Sequence, residues 1–106
     1  MAHSEKFRDD VLRAVSGMSQ RQIAAKMGVS QTTVSNMQYG RIPSDMNMVR
    51  RFAEAVGENP DEWELKAKLY STEVALRAEH NLSEDSMRQI LKIIEKEEEE
   101  HLKEKK

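Results

Sequence analysis

Twenty-three consecutive residues, Ser19–Arg41, read SQRQIAAKMGVSQTTVSNMQYGR and decide the fold of this protein. Gly28 and Gly40 interrupt the stretch, and glycine often ends helices because it adopts the left-handed backbone conformation at little cost. Ser19 and Ser30 each precede a helical segment, where a serine side chain caps the free amide groups of the first turn. The stretch therefore predicts a helix, a turn and a second helix that ends before Gly40.

The second helix of this pair has an unusual polar face. At about 100° per residue, five side chains share one arc of the helix. These residues are Gln31, Thr32, Ser35, Asn36 and Tyr39. Val34 and Met37 lie on the opposite side. A helix face that only meets water usually carries lysine and glutamate, whereas short amides and hydroxyls have poor helix propensity but match the base edges of a DNA major groove.

The rest of the chain predicts an all-α fold. All four glycines and both prolines fall within the first 60 residues, which indicates four short helices, since these residues punctuate helices. Asn59-Pro60 then begins a fifth helix that we expect to reach about Glu79, and Ser83 caps a sixth. No run of alternating β-branched residues indicates a strand.

Apolar residues at helical spacing predict which faces are buried. The first helix is expected to bury Phe7, Val11, Leu12, Val15 and Met18, and the fourth Met46, Val49, Phe52, Ala53 and Val56. Trp63 is expected to join the fifth helix to this core. The sixth helix has one apolar seam, formed by Met87, Ile90, Leu91 and Ile94.

Composition narrows the classes of function. The chain has 106 residues and no cysteine, which is small for an enzymatic cleft and excludes a thiolate metal site or a disulfide scaffold. No apolar run is long enough to span a membrane, and no signal peptide is visible, so we expect a cytoplasmic protein. His3, His80 and His101 are too far apart to indicate a metal site. Neither an enzyme nor a cofactor is expected.

The net charge of −2 hides an asymmetry along the chain. Residues 1–57 carry eight basic and five acidic residues, while residues 58–106 carry nine basic and fourteen acidic residues. The front half thus has a net charge of +3 and the back half −5. This division suggests two tasks, although a small imbalance is also common in proteins with one task.

The stretch Ser19–Arg41 resembles the helix-turn-helix of the phage repressor/Cro class, also called the XRE family. The resemblance rests on the Ser19-Gln20 start of the helix before Gly28, the Ile-Ala pair within it, the Gly-Val-Ser turn and the spacing to Val34 and Met37. It covers about Phe7 to Trp63, including the later FAEAVGENPDEW segment. The family implies a lambda-repressor-like domain of about five helices, here followed by a C-terminal helical extension.

The resemblance also implies a role for each matching position. Gln20 and Arg21, at the start of the helix before Gly28, correspond to contacts with the DNA backbone. The helix after Ser30 corresponds to the recognition helix, and Arg41 lies where a phosphate contact is common after it. Ser30 caps that recognition helix. The base-reading positions are Gln31, Thr32, Ser35 and Asn36, with Thr33 and Tyr39 beside them. Lys26, Arg50 and Arg51 add positive charge of undetermined orientation.

Arg13 marks one departure from the family pattern. The family often pairs this arginine with a glutamate late in the recognition helix, but Gln38 occupies that position here. We expect at most a hydrogen bond between Arg13 and Gln38, and an arginine that is freer to reach a phosphate.

These patterns predict a DNA-binding domain over residues 1–63 and a dimerisation or partner-binding extension over residues 64–106. The predicted function is sequence-specific regulation of transcription by a homodimer that binds double-stranded DNA and represses. Two alternatives remain: an antitoxin whose acidic C-terminal region binds a protein partner, and a helix-turn-helix used only for protein interaction. A second apolar stripe of the fifth helix (Leu65, Leu69 and Leu76) and the seam of the sixth helix are candidates for the dimer interface. The alternative is that the sixth helix folds back onto the fifth helix of its own chain.

Overall fold

The computed structural model describes residues 2–80 and 83–104, and the predicted all-α class is confirmed. Within these residues the chain forms six helices and one pair of two-residue strands. In chain order, the elements are β1 (Ala2–His3), α1 (Glu5–Ala14), α2 (Gln20–Met27), α3 (Gln31–Gln38), β2 (Arg41–Ile42), α4 (Met46–Ala55), α5 (Pro60–His80) and α6 (Glu84–Glu104).

Short polar side chains cap the first turns of α1, α2, α3 and α4, as predicted for α2 and α3. The capping residues are Ser4, Ser19, Ser30 and Asp45. At Ser19 the cap is reciprocal: Ser19 Oγ accepts a hydrogen bond from the Gln22 amide at 3.1 Å, and Gln22 Oε1 accepts one from the Ser19 amide at 3.0 Å. This capping box fixes where α2 begins and therefore where its first-turn amides point.

The core is built around Trp63, which is fully buried at the start of α5. Its ring packs edge-on against Phe7 of α1 and Phe52 of α4, with ring centroids 6.2 and 5.1 Å apart. Trp63 thereby joins α5 to the first four helices, as predicted. Leu12 was expected in the same core, but its side chain is 48% exposed, so that prediction was wrong. Val11, which precedes it in the sequence and was also expected in the core, is fully buried.

A polar contact fastens α5 to α1. The Tyr70 hydroxyl donates a hydrogen bond of 2.7 Å to Asp10 Oδ2, while Arg13 Nη2 lies 3.1 Å from the other oxygen of that carboxylate. Burial of the phenol raises the pKa of Tyr70 above its usual value of 10.0, and the hydrogen bond to Asp10 raises this pKa further.

The N-terminus pairs with the segment that follows α3. Ala2 lies opposite Ile42 and His3 opposite Arg41 in an antiparallel pair, which we call the N-terminal clip. The Ser4 amide extends the pairing with a 2.8 Å hydrogen bond to the carbonyl of Gly40. The sequence predicted no strands, and this was wrong for these residues because a two-residue strand has no periodic signal.

The last helix folds back on α5 within the same chain. Met87 is only 2% exposed, and Ile90, Leu91 and Ile94 are partly buried. The fold-back arrangement that the sequence left open is therefore the one observed, and the apolar seam is used inside the chain. The suggested division after residue 63 lies within α5, and the break predicted at Asn81-Leu82 lies outside the described residues.

Candidate nucleic-acid interface

Helix α3 is held by two buried side chains and presents its opposite side to solvent. Val34 and Met37 are fully buried in the core. Thr32, on the other side of the helix, is exposed, and Tyr39 at the C-terminal end of the helix is 68% exposed. Tyr39 thus places an aromatic ring with a hydrogen-bonding hydroxyl at the surface, next to the polar side of α3.

The exposed side of α3 carries Gln31, Thr32 and Tyr39, and we call it the ridge. The other predicted contact residues fall on its two flanks. On one flank a groove of about 240 Å³ runs between α3 and the start of α4. The predicted residues that line it are Thr33, Asn36 and Arg41. On the other flank a shallower groove of about 500 Å³ separates α3 from α1 and the start of α2. The predicted residues that line it are Gln20, Ser35 and Tyr39.

The remaining predicted residues lie at the N-terminal ends of the two helices. Gln31 is exposed in the first turn of α3, and Ser30 Oγ caps this helix by accepting a 3.3 Å hydrogen bond from the Thr33 amide. Arg21 is exposed in the first turn of α2. Ser19 satisfies the Gln22 amide, while the amides of Gln20 and Arg21 have no intrahelical acceptor and suit an anion at the helix end.

The basic side chains of the front half divide into two groups. Four have a carboxylate within 3.4 Å: Lys6, Arg8, Arg13 and Arg50. Four have no acidic partner among the described residues: Arg21, Lys26, Arg41 and Arg51. The second group includes the two arginines that the sequence assigns to the DNA backbone, so their charge is not cancelled locally.

Arg50 does not add free positive charge to this surface. Its guanidinium lies 2.8 Å from Asp61 and 3.7 Å from Glu64, both on α5. The hydrogen bond to Asp61 raises the pKa of Arg50 above the ordinary value for arginine. Arg50 therefore acts as a link between α4 and α5, which the sequence could not indicate because the pairing residues are 11 positions apart.

Arg13 was expected to form at most a hydrogen bond with Gln38 and to be freer to reach a phosphate, but it neither bonds Gln38 nor remains unpaired. Arg13 is paired with Asp10 on its own helix, and Gln38 Oε1 accepts a hydrogen bond of 2.5 Å from Gln20 Nε2. This hydrogen bond joins the C-terminal end of α3 to the start of α2. Sequence reasoning assigned no role to Gln38 beyond this absent pairing, and its only signal was the departure from the family pattern.

Two other kinds of feature are absent from the part of the chain that the structure describes. No group of three or more histidine and carboxylate side chains among them could hold a metal ion. None of the helices in the described ranges is long and apolar enough to cross a membrane. What the arrangement presents is a ridge of neutral hydrogen-bonding groups with unpaired cations and free amides at its borders. Chemically, cations and free amides can hold a phosphate backbone, and neutral amides and hydroxyls can bond base edges.

Comparison with known proteins agrees with this geometry. No curated protein and no solved structure gave a significant match to the chain. The family model for the helix-turn-helix domain matches residues 11–65, which include α2, α3, α4 and the first turn of α5. This match covers just over half of the 106 residues, and the chain belongs to that helix-turn-helix domain family.

Proposed function

We propose that the protein is a sequence-specific DNA-binding regulator that inserts α3 into the major groove. The observation that carries this proposal is the exposed ridge of α3, which has amides, hydroxyls and one aromatic ring but no charge. Glutamine and asparagine can bond adenine with two hydrogen bonds, and threonine can contact a thymine methyl group. A helix face selected only for solubility would instead carry lysine and glutamate.

Each candidate residue has a proposed part in this interface. Gln31, Thr32, Ser35 and Asn36 read base edges, with Thr33 and Tyr39 contacting the walls of the groove. Gln20, Arg21 and Arg41 hold the phosphate backbone, and Ser30 maintains the start of the recognition helix. The polar flanks described above support this assignment, because they bring the backbone-binding residues beside the base-reading ones on both sides of α3.

We further propose that the protein acts as a repressor of the phage repressor/Cro type and binds a palindromic operator as a homodimer in the cytoplasm. A single recognition helix reads only a few base pairs, and two-fold dimers place two such helices in successive major grooves. Residues 1–63 would bind DNA, and residues 64–106 would supply the contact between subunits. The bound dimer would then cover a promoter and exclude polymerase.

A second candidate is an antitoxin-type DNA-binding protein. The acidic back half supports this alternative, since exposed residues such as Glu95, Glu97 and Glu99 line α6 and favour a basic protein partner. Co-purification of a small basic protein that binds the isolated full chain would support it. A helix-turn-helix used only for protein interaction would instead show no salt-sensitive affinity for DNA.

The decisive experiment is selection of bound duplexes from a random DNA library, followed by sequencing. We expect an inverted repeat with half-sites about 10 base pairs apart or a multiple of that distance. An unrepeated half-site would retain the DNA-binding role and contradict the dimer. Absence of enrichment at low salt would contradict DNA binding itself and leave the protein-interaction alternative.

A matched pair of variants tests which cations meet the DNA. Removal of one cation that touches a phosphate should reduce the slope of log affinity against log salt by about 1. We expect Arg41→Met to show this reduction on the selected DNA. Arg50→Met also removes one arginine charge from the front half of the chain, but it should leave the slope unchanged because Arg50 is bonded to Asp61. Equal slopes for both variants would contradict the assignment of Arg41.

A further inference from the structure

The structure contains one hydrogen bond that links the two helices of the candidate interface directly. Gln20 is the first residue of α2 and Gln38 the last of α3, and their side-chain amides are 2.5 Å apart. Both side chains are partly buried, and they line the groove that also contains Ser35 and Tyr39. The bond therefore lies beside the proposed contact surface, not inside the core.

Because Gln20 is the donor of this hydrogen bond, one N–H of its side-chain amide remains unused. A glutamine amide has two N–H donors, and Gln20 Nε2 uses one of them on Gln38 Oε1. The second N–H remains available next to the backbone amides of Gln20 and Arg21, which have no intrahelical acceptor. A side chain held by one hydrogen bond loses less conformational entropy when its second donor binds a ligand.

We propose that Gln38 is a positioning residue: it orients the Gln20 amide so that its second N–H meets a DNA phosphate. The pairing also sets the distance between that phosphate contact and the base-reading side chains, because Gln38 belongs to the recognition helix. This inference rests on the proposed DNA-binding function and adds a residue whose action is indirect. Arg13 takes no part in it, since Arg13 is bonded to Asp10.

The test is a double-mutant cycle on the DNA selected by the wild-type protein. Gln38→Met keeps the length and helix propensity of the side chain and removes the acceptor. We expect it to weaken DNA binding by about three- to tenfold, the effect of removing one hydrogen bond. In a Gln20→Ala background the same substitution should change Kd by less than about 1.5-fold, because the amide that it orients is gone.

A second readout separates positioning from a structural role. Neutral methylphosphonate groups replace single phosphates of the selected duplex, one position at a time. We expect one position where this replacement weakens binding by the wild type more than it weakens binding by Gln38→Met or Gln20→Ala, since all three keep the backbone amides of the first turn of α2. The melting temperature of Gln38→Met should stay within about 3 °C of the wild type, since a partly exposed hydrogen bond contributes little.

The outcomes distinguish the inference from the function on which it rests. Additive losses in the cycle, or identical methylphosphonate profiles for wild type and Gln38→Met, would overturn the positioning role while leaving DNA binding intact. A large fall in melting temperature with an affinity loss independent of Gln20 would show that Gln38 only supports the fold. If the wild-type protein selects no DNA, the proposed function fails first.

Discussion

Replacement of Gly40 by alanine tests how the N-terminal clip holds the end of the recognition helix. Gly40 has φ +100°, and a Cβ placed there would lie 2.7 Å from the carbonyl oxygen of Ser4 and 3.1 Å from Cβ of Arg8. Neither atom can move away easily, because one is backbone and the other is fixed to α1. Gly57 provides the matched control, with φ +78° and no atom within 4 Å of the added carbon.

The two sites share one penalty and differ in the other. An alanine in the left-handed region costs about 1–2 kcal/mol at either position. At Gly40 the overlap with Ser4 and Arg8 adds a cost like that of overpacking a core, about 1–3 kcal/mol. We therefore expect Gly57→Ala to lower the free energy of unfolding by about 1–2 kcal/mol and Gly40→Ala by about 2–5 kcal/mol.

Urea unfolding monitored by tryptophan fluorescence measures this difference. Trp63 is the single tryptophan and is buried in the folded chain, so its emission reports the loss of the core. Gly40→Ala should also weaken binding to the selected DNA, since the displaced clip includes Arg41, whereas Gly57→Ala should not. Equal stability losses for the two variants would refute the close approach at Gly40, and an unchanged affinity in a folded Gly40→Ala protein would refute its link to the interface.

Three further substitutions test single contacts. Tyr70→Phe should destabilise the fold by about 1–3 kcal/mol at neutral pH, because it removes a hydrogen bond to the carboxylate of Asp10. The unfolded phenol ionises near pH 10 while burial keeps the folded one protonated, so wild-type stability should fall above about pH 10 and more steeply than that of the variant in urea titrations at pH 9–11. Ser19→Ala should cost about 1 kcal/mol in the same assay, as the loss of a cap does, and a neutral result would contradict the capping box. Arg13→Ala should lower the free energy of unfolding by at most about 1 kcal/mol, because Arg13 forms only an exposed ion pair with Asp10, and a larger loss would contradict this expectation.

Local chemistry made the helices of this protein predictable. Serine or aspartate before an apolar-periodic segment and glycine after it mark the two ends of a helix. At Ser19 this pattern acts through direct hydrogen bonds between the capping side chains and the backbone amides of the first turn. The polar face of α3 was equally visible, because it depends only on the helical period. Helix ends and helix faces are predictable because both depend on residues that are close together in the sequence.

Contacts between distant segments were not predictable in the same way. Leu12 fits the inner stripe of α1 by spacing, yet its exposure depends on where α3 and α2 lie. The partner of Arg50 is on α5, and the partner of Gln20 is on the next helix. Each of these outcomes is set by the three-dimensional arrangement of helices, and no periodic pattern in one segment encodes it.

The N-terminal clip has a practical consequence for anyone who handles this protein. Because Ala2 and His3 pair beside Arg41, any polypeptide attached ahead of them would leave the surface next to the end of α3. A purification tag or fluorescent fusion at that end would lie beside the surface that we propose binds DNA and would disturb the pairing of the strands. A label at the other end of the chain would not extend a strand of the clip, so binding assays should use C-terminal labels.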